Sequence, residues 1–258
     1  MNVLVCVKRV PDTGARFDLT DDGRDIDTRN LEFTVSPHEE CAVEEAIRIA
    51  EAHDGQSTVL TLGPDAAGEQ LREALAKGVG RGILLEIDDP SAWDPRATAQ
   101  AIGDAIRAQI DAHGPFDVML FGNEAADTGD FQVGIRVAEA LGMPCVAGVK
   151  KLELGGDGTA RAFREAGGGW DVFDVRLPAV FTVREGLNVP RHPSLRGIMS
   201  AKKKEIERVR PQTTAPRLRL TRLRKPEERS GSVDILGEGP EAAPRVIEIL
   251  KELGVTSG

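Results

Sequence analysis

Four times within its first 141 residues the chain repeats one pattern: a short, nearly unbroken apolar run, a turn, and an amphipathic stretch at helical spacing. The runs are NVLVCV (2–7), QSTVLTL (56–62), GILLEI (82–87) and FDVMLF (116–121). A strand with one wet face alternates polar and apolar residues, whereas runs like these belong to strands covered on both faces. The amphipathic stretches supply the cover. The first opens at Ser36-Pro37, with Ser36 as N-cap, Pro37 at the first helical position and Glu39 three residues after the cap. Ala42, Val43, Ala46, Ile47, Ile49 and Ala50 then follow helical spacing. Further helices are expected over 68–77, over 94–112 behind an Asp94 cap, and over 131–141.

Strand, turn and helix in this rhythm predict an α/β fold: a doubly wound, mainly parallel sheet of the Rossmann-like or adenine nucleotide alpha hydrolase-like kind. Ligands of such sheets bind in the crevice outside the carboxyl ends of the strands. The turns at those ends start near Lys8, Gly63, Asp88 and Gly122. Beyond Leu141 the pattern changes. Residues 150–154 and 159–164 read as a hairpin over a glycine turn, and 172–176 and 179–183 as further strands, a late antiparallel portion. Residues 8–30 read as loop containing a short hairpin. From Pro211 the chain is proline- and arginine-rich and is expected to be extended, with a short helix over 240–253 stopped by Gly254. The expected organisation is an α/β nucleotide-binding domain over 1–210 and a C-terminal arm with its helix over 211–258.

Composition narrows the class. Hydrophobic residues at 40% and charged residues at 29% suit a folded, water-facing protein. No apolar run approaches the roughly 20 residues a membrane helix requires, and the N-terminus is apolar first and basic second, the reverse of a secretory leader. Three cysteines without zinc spacing exclude a disulfide framework, so a reduced, cytoplasmic setting is expected. The net charge of −9 is uneven: residues 201–225 hold ten Lys/Arg against two Asp/Glu, and the remainder 23 against 40. The basic stretch contains no aromatic residue on which a base would stack, which favours an acidic protein surface over nucleic acid as its partner.

Three segments hold candidate chemistry. The loop GNEAADTGDFQVG (122–134) lies between a strand and a helix. It reads either as a phosphate cradle on a helix N-terminus or as a polar loop whose aspartate caps the helix. In SPHEE (36–40), His38 is either a base or ring contact, or an exposed first-turn residue. In REGLNVPRHPSLRGIMSAKKKEI (184–206), Pro190 and Pro193 stiffen a loop with Leu195 at its tip and Arg191 and Arg196 beside it. Either Leu195 is held out for a partner with an apolar pocket and an acidic rim, or it is tucked inward. Cys6 and Cys41 read as core thiols, and Cys145 has no activating neighbour. The histidines are scattered, and neither GxSxG nor a glycine-rich phosphate motif occurs, so no catalytic residue and no metal site are assigned.

Taken together, the segments resemble the beta subunits of electron transfer flavoproteins. VLVCVKRVPD (3–12), SPHEECAVEEAIR (36–48), GNEAADTGDFQVG and NVPRHPSLRGIMSAKKKEI (188–206) occur in family order and spacing, and the likeness extends through the arm LRLTRLRKPEERSGS. The resemblance implies an electron carrier rather than an enzyme in its own right. It implies a heterodimer with an alpha subunit that holds most of an FAD, and an AMP buried in the beta subunit, replaced by a second FAD in electron-bifurcating relatives. By motif, the nucleotide site comprises Cys6, Ser36, Pro37, His38, Glu39 and Leu62 with the loop residues Gly122, Asn123, Glu124, Ala125, Ala126, Asp127, Thr128, Gly129, Asp130, Phe131, Gln132 and Val133.

The same resemblance makes Leu195 an anchor for acyl-CoA dehydrogenases and similar flavoproteins of fatty acid oxidation, with Arg191, Arg196 and Lys203 around it. Glu165 matches an acidic residue that meets the alpha subunit as its flavin domain swings. Ser200 stands where mammalian members carry the first of two lysines, Lys203 being the second, and Thr13 and His38 stand where aromatics are common near the flavin. The implied route runs from acyl-CoA and other dehydrogenases to a membrane-linked quinone oxidoreductase, without membrane insertion of this chain. A stand-alone adenine-nucleotide-binding protein would also account for the sheet, but it leaves residues 184–206 and the arm unexplained.

Overall fold

The computed structural model describes residues 1–212, 214–226 and 235–255. Its strands in chain order are β1 (Val3–Cys6), β2 (Val10–Pro11), β3 (Phe33–Thr34), β4 (Ser57–Gly63), β5 (Arg81–Glu86), β6 (Val118–Gly122), β7 (Cys145–Leu154), β8 (Thr159–Ala166), β9 (Gly169–Arg176), β10 (Ala179–Val183) and β11 (Ile206–Val209). Its α-helices are α1 (Pro37–Ala52), α2 (Gly68–Lys77), α3 (Pro95–His113), α4 (Val133–Leu141), α5 (Leu195–Lys203) and α6 (Ala243–Glu252). Two compact units divide at Leu223, Met1–Leu223 and Arg224–Gly258. Among the described residues no helix is long and apolar enough to cross a membrane.

The nine-stranded sheet runs β11-β5-β4-β1-β6-β10-β7-β8-β9. β1 pairs in parallel with β4 on one side and β6 on the other, and each of the four side chains of β1 is buried. Period-2 alternation sorts those side chains into two cores. Val3 and Val5 join Val59, Leu84 and Leu120 under α1 and α2, while Leu4 and Cys6 join Leu60, Ile83 and Met119 under α3 and α4. Helices on both faces make the sheet doubly wound, as the apolar runs predict.

The order of strands creates one reversal. From β1 the chain moves outward to β4 and β5, then returns to the other side of β1 as β6. At such a switch point the two following loops diverge to opposite faces and leave a crevice between them. Here those loops begin at Val7 and Asn123.

The late strands depart from expectation in two ways. The hairpin β7-β8-β9 is antiparallel as expected, but β10 does not extend it: it inserts between β6 and β7, parallel to both. Its residues AVFTV are buried throughout, the environment of a central parallel strand rather than a hairpin edge. β11 is an added edge strand, parallel to β5, inside the basic stretch 201–225 and not expected from the sequence. Arg208 on it reaches Glu86, and Arg210 just after it reaches Glu86 and Asp88, which disguises the strand as a charge run. Within the early loop the structure has one isolated antiparallel bridge, Leu19 with Ile26, and β2 pairs antiparallel with β3 just beyond the loop's expected end.

Residues 214–223 have no helix or strand, and main-chain amides among them bond to the body. The amides of Arg217 and Leu218 donate to Asp94 Oδ2 at 2.6 and 3.0 Å, and Leu223 N donates to Gly23 O at 2.7 Å. The parts of the expected arm at 213, 227–234 and 256–258 lie outside the described residues.

Candidate functional site

The capping box read from SPHEE is formed, and it does more than start a helix. Ser36 Oγ accepts from Glu39 N at 3.2 Å, and Glu39 Oε2 accepts from Ser36 N at 2.9 Å and Ser36 Oγ at 3.0 Å. The other oxygen, Oε1, accepts from Lys8 N at 2.8 Å. Glu39 thereby ties the chain just after β1 to the start of α1, beside the crevice. It is buried, and burial pushes its carboxyl up to about 7, against the pull of its bonds to Ser36 and Lys8. Cys6 sits at the same strand end, and burial, with Glu39 nearby, pushes its thiol up. It is a core thiol, not a thiolate nucleophile.

β6 ends against this carboxylate. A Cβ on Gly122 would lie 2.7 Å from Glu39 Cγ and 3.5 Å from Ser36 Oγ, so glycine lets the strand end meet the cap. Lys8 Nζ then bridges to Asp127 Oδ1 at 2.6 Å, joining the loop after β1 to the loop after β6. Sequence reasoning missed Lys8. The signal was present, a lysine directly after the first strand at the reversal.

The 123–132 loop is folded on itself and anchored at its root. Asn123 N donates to Val183 O, and Thr182 Oγ1 donates to Asn123 Oδ1 at 2.7 Å while accepting from Gly148 N at 3.0 Å. Thr182 thus fastens the loop to β10 and β7. Gly129 N donates to Ala125 O, Ala125 N to Asp130 O, and Gln132 Nε2 to Asp130 Oδ1. Among the described residues no side chain caps α4, so neither aspartate of the loop is its N-cap. Ala126 is half-buried, Thr128 is exposed with its amide on Asp127 Oδ1, and Phe131 is exposed. Val133 and Leu62 pack against the core under α3 and α4.

His38 is half-buried with Pro37 exposed before it, and its Nδ1 accepts the Glu185 amide at 2.8 Å. Burial lowers its pKa, with opposing pulls from Glu124 and Glu185. The neutral ring therefore carries its proton on Nε2. Glu124, assigned to the loop by motif, is close enough to His38 to act on it electrostatically. Thr13 is exposed in the loop after β2.

Most of the remaining candidates lie on or just before α5. Leu195 opens α5 behind the Ser194 cap and is 83% exposed, flanked by exposed Met199, Ile198 and Val189. Arg196, Ser200 and Lys203 are exposed on the same helix. Arg191 is not: it is bound to Glu44 and Glu51 on α1. Glu165 is on β8, half-exposed, 3.9 Å from Lys150 and 4.0 Å from Arg184. Among the described residues no His/Cys/Asp/Glu group is arranged to hold a metal.

Comparison with known proteins matches this architecture to a family. A family model described as "Electron transfer flavoprotein domain" matches residues 25–214. "Electron transfer flavoprotein subunit beta" of Bacillus subtilis (strain 168) is 35% identical over 260 residues, covering 97% of this chain and 98% of the relative. The chain belongs to the electron transfer flavoprotein beta-subunit family. A second member, from Syntrophomonas wolfei, is 36% identical over 252 residues, with 97% and 96% covered. The subunit beta of Dictyostelium discoideum is 28% identical over 257 residues, with 98% of each covered. The full-length matches thus span the crevice, α5 and the residues beyond β11.

Proposed function

We propose that this chain is the scaffold of a two-subunit electron carrier: its crevice holds an adenine nucleotide, and its α5 tip receives the proteins that deliver electrons. The observation that carries the reading is the tip, an apolar side chain 83% exposed at the head of a helix whose base is fixed to the body. An apolar tip of Leu195, with Ile198 and Met199 exposed on the same helix beside Arg196 and Lys203, suits an anchor for a partner with an apolar pocket and an acidic rim.

The donor set of the crevice fits AMP. The first turn of α4 lacks a side-chain cap and offers N–H groups and the positive dipole end to a phosphate. Ala125 and Ala126 leave room for close approach, Thr128 brings a hydroxyl, and Lys8 is already neutralised by Asp127, which suits a site with one phosphate better than a diphosphate. Residues 123–133 would hold the phosphate and ribose. Ser36 and Glu39 would keep the floor rigid, and His38 would present Nε2–H as a donor. The redox chemistry is that of FAD, held mainly by an alpha subunit. The protein contributes binding, orientation and exclusion of water. Glu165 is proposed to meet the alpha subunit from β8, and the residues beyond β11, with the amphipathic α6, to wrap it. The electrons are proposed to come from acyl-CoA and other dehydrogenases and to leave to a membrane-linked quinone oxidoreductase.

The test is electron transfer from an acyl-CoA dehydrogenase to the purified heterodimer. Leu195→Ala is expected to raise the dehydrogenase concentration needed for half-maximal rate at unchanged FAD content. A wild-type concentration dependence rejects the docking reading.

A further inference from the structure

The 184–206 segment is clamped on both sides of its tip, and the stronger clamp uses the arginine whose sequence position marks it as a partner contact. Arg191 Nε donates to Glu44 Oε2 at 2.9 Å and Nη2 to Glu44 Oε1 at 3.2 Å. Nη1 and Nη2 donate to the two oxygens of Glu51 at 2.8 and 3.1 Å, and the Arg191 amide adds a bond to Glu44 Oε2 at 3.1 Å. Glu44 and Glu51 stand two turns apart on one face of α1, so the planar guanidinium spans both carboxylates. The Glu44 side chain is 8% exposed, and Arg191 is its ion-pair partner. One turn earlier, Asn188 Nδ2 donates to Cys41 O at 3.0 Å and Glu45 Oε2 at 2.9 Å. On the far side of Leu195, Arg72 donates to the carbonyls of Ala201 and Lys204, and Lys204 Nζ donates to Val79 O at 2.7 Å. A Cβ on Gly197 would lie 2.3 Å from Ala76 O, so α5 rests directly on the end of α2.

We propose that Arg191 is a positioning residue for partner docking: its guanidinium locks the loop to α1 and presents Leu195 in one pose, without touching the partner itself. The inference rests on the docking reading above and adds its mechanism. A tip on a loose loop would have to be ordered at each encounter, which weakens binding. The fork moves that ordering into folding of the chain. Lysine cannot replace it, because an ammonium is a point donor and does not bridge two carboxylates in a plane.

The experiment compares Leu195→Ala, Arg191→Lys, Glu44→Gln and the Arg191→Lys/Glu44→Gln double variant in the intact heterodimer. It reads the rate of flavin reduction against the concentration of an acyl-CoA dehydrogenase. Positioning predicts that Arg191→Lys and Glu44→Gln each raise the half-saturating concentration by about tenfold with the maximal rate retained, and that the double variant is no worse than either. Hydrogen exchange of the amides between residues 192 and 200 is expected to speed up in both. If Arg191 instead met the partner, Glu44→Gln would free the guanidinium and leave half-saturation unchanged or lower, while Arg191→Lys would raise it. That outcome overturns the proposal. Equal half-saturation in both single variants and wild type also overturns it. A Leu195→Ala variant that behaves as wild type removes the docking reading, whatever the clamp variants do.

Discussion

The Glu39 carboxylate receives the main-chain N–H of Lys8 at 2.8 Å, and through it the end of the central strand is bonded to the first turn of the first helix. The contact spans the point where the strand order reverses. At the same point Gly122, ending β6, is packed directly against the Glu39 side chain.

That carboxylate gives the fold a pH signature. The folded pKa of about 7 lies above the ordinary value of 4.5 because burial disfavours the charged form. The native state then holds the proton more tightly than the unfolded chain. Stability from this group is greatest below the ordinary carboxylate range and falls as pH rises from about 4.5 to about 7. Denaturant titrations of wild type and Glu39→Gln across that window are expected to show the wild type losing of order 3 kcal/mol relative to the variant. A difference independent of pH would show that folding leaves the Glu39 carboxyl at its ordinary pKa.

Gly122→Ala places a methyl 2.7 Å from Glu39 Cγ, at a site closed by the capping box. Overpacking of this kind costs about 1–3 kcal/mol. The variant is expected to melt lower and to retain less nucleotide. Wild-type melting with full nucleotide would mean that the strand end yields freely.

Asp94 serves two partners with separate oxygens. Oδ1 caps α3 through Ala97 N at 2.7 Å, and Oδ2 takes the amides of Arg217 and Leu218. Burial opposes its ionisation, but these backbone donors outweigh it and hold the carboxyl below the ordinary range. The stability it adds is present above that range and is lost as pH falls through it. Asp94→Asn leaves a cap oxygen but turns an NH2 toward two N–H donors. A loss of about 1–3 kcal/mol is expected, with faster exchange at Arg217 and Leu218. Unchanged exchange there would contradict the clasp.

Two aromatics separate the central strand from the hairpin edge. Phe181 on β10 is fully buried, whereas Trp170 on β9 is 53% exposed. Phe181→Ala is expected to cost about 3–5 kcal/mol. Trp170→Ala is expected to cost well under half as much in urea titrations of the isolated chain. Equal costs would place β10 outside the core.

The parallel half of the fold was legible because each strand there is covered on both faces and is therefore apolar in sequence, as in VLVC and VLTL. The capping box at Ser36 and Glu39 was legible for a local reason, since its partners are three residues apart. What was not legible depends on distant residues. β10 has the composition of a strand, but its neighbours β6 and β7 are chosen by packing, not by the local run. β11 looks like a charge run because its arginines find Glu86 and Asp88 only across the sheet. Lys8 and Arg191 share that reason: their carboxylates lie 119 and 147 residues away in the chain. The residues around Leu195 left it either held out or tucked inward, and the structure holds it out; the clamp beneath it depends on partners far away in the chain.

The central claim is that the crevice between the loops after β1 and β6 holds an adenine nucleotide. The direct measurement is to purify the chain with its alpha subunit, denature the heterodimer and quantify the released nucleotides. One AMP and one FAD per heterodimer is the predicted result, with the AMP reduced in Gly122→Ala and retained in Leu195→Ala. A heterodimer that releases its FAD but no second adenine nucleotide would contradict the account.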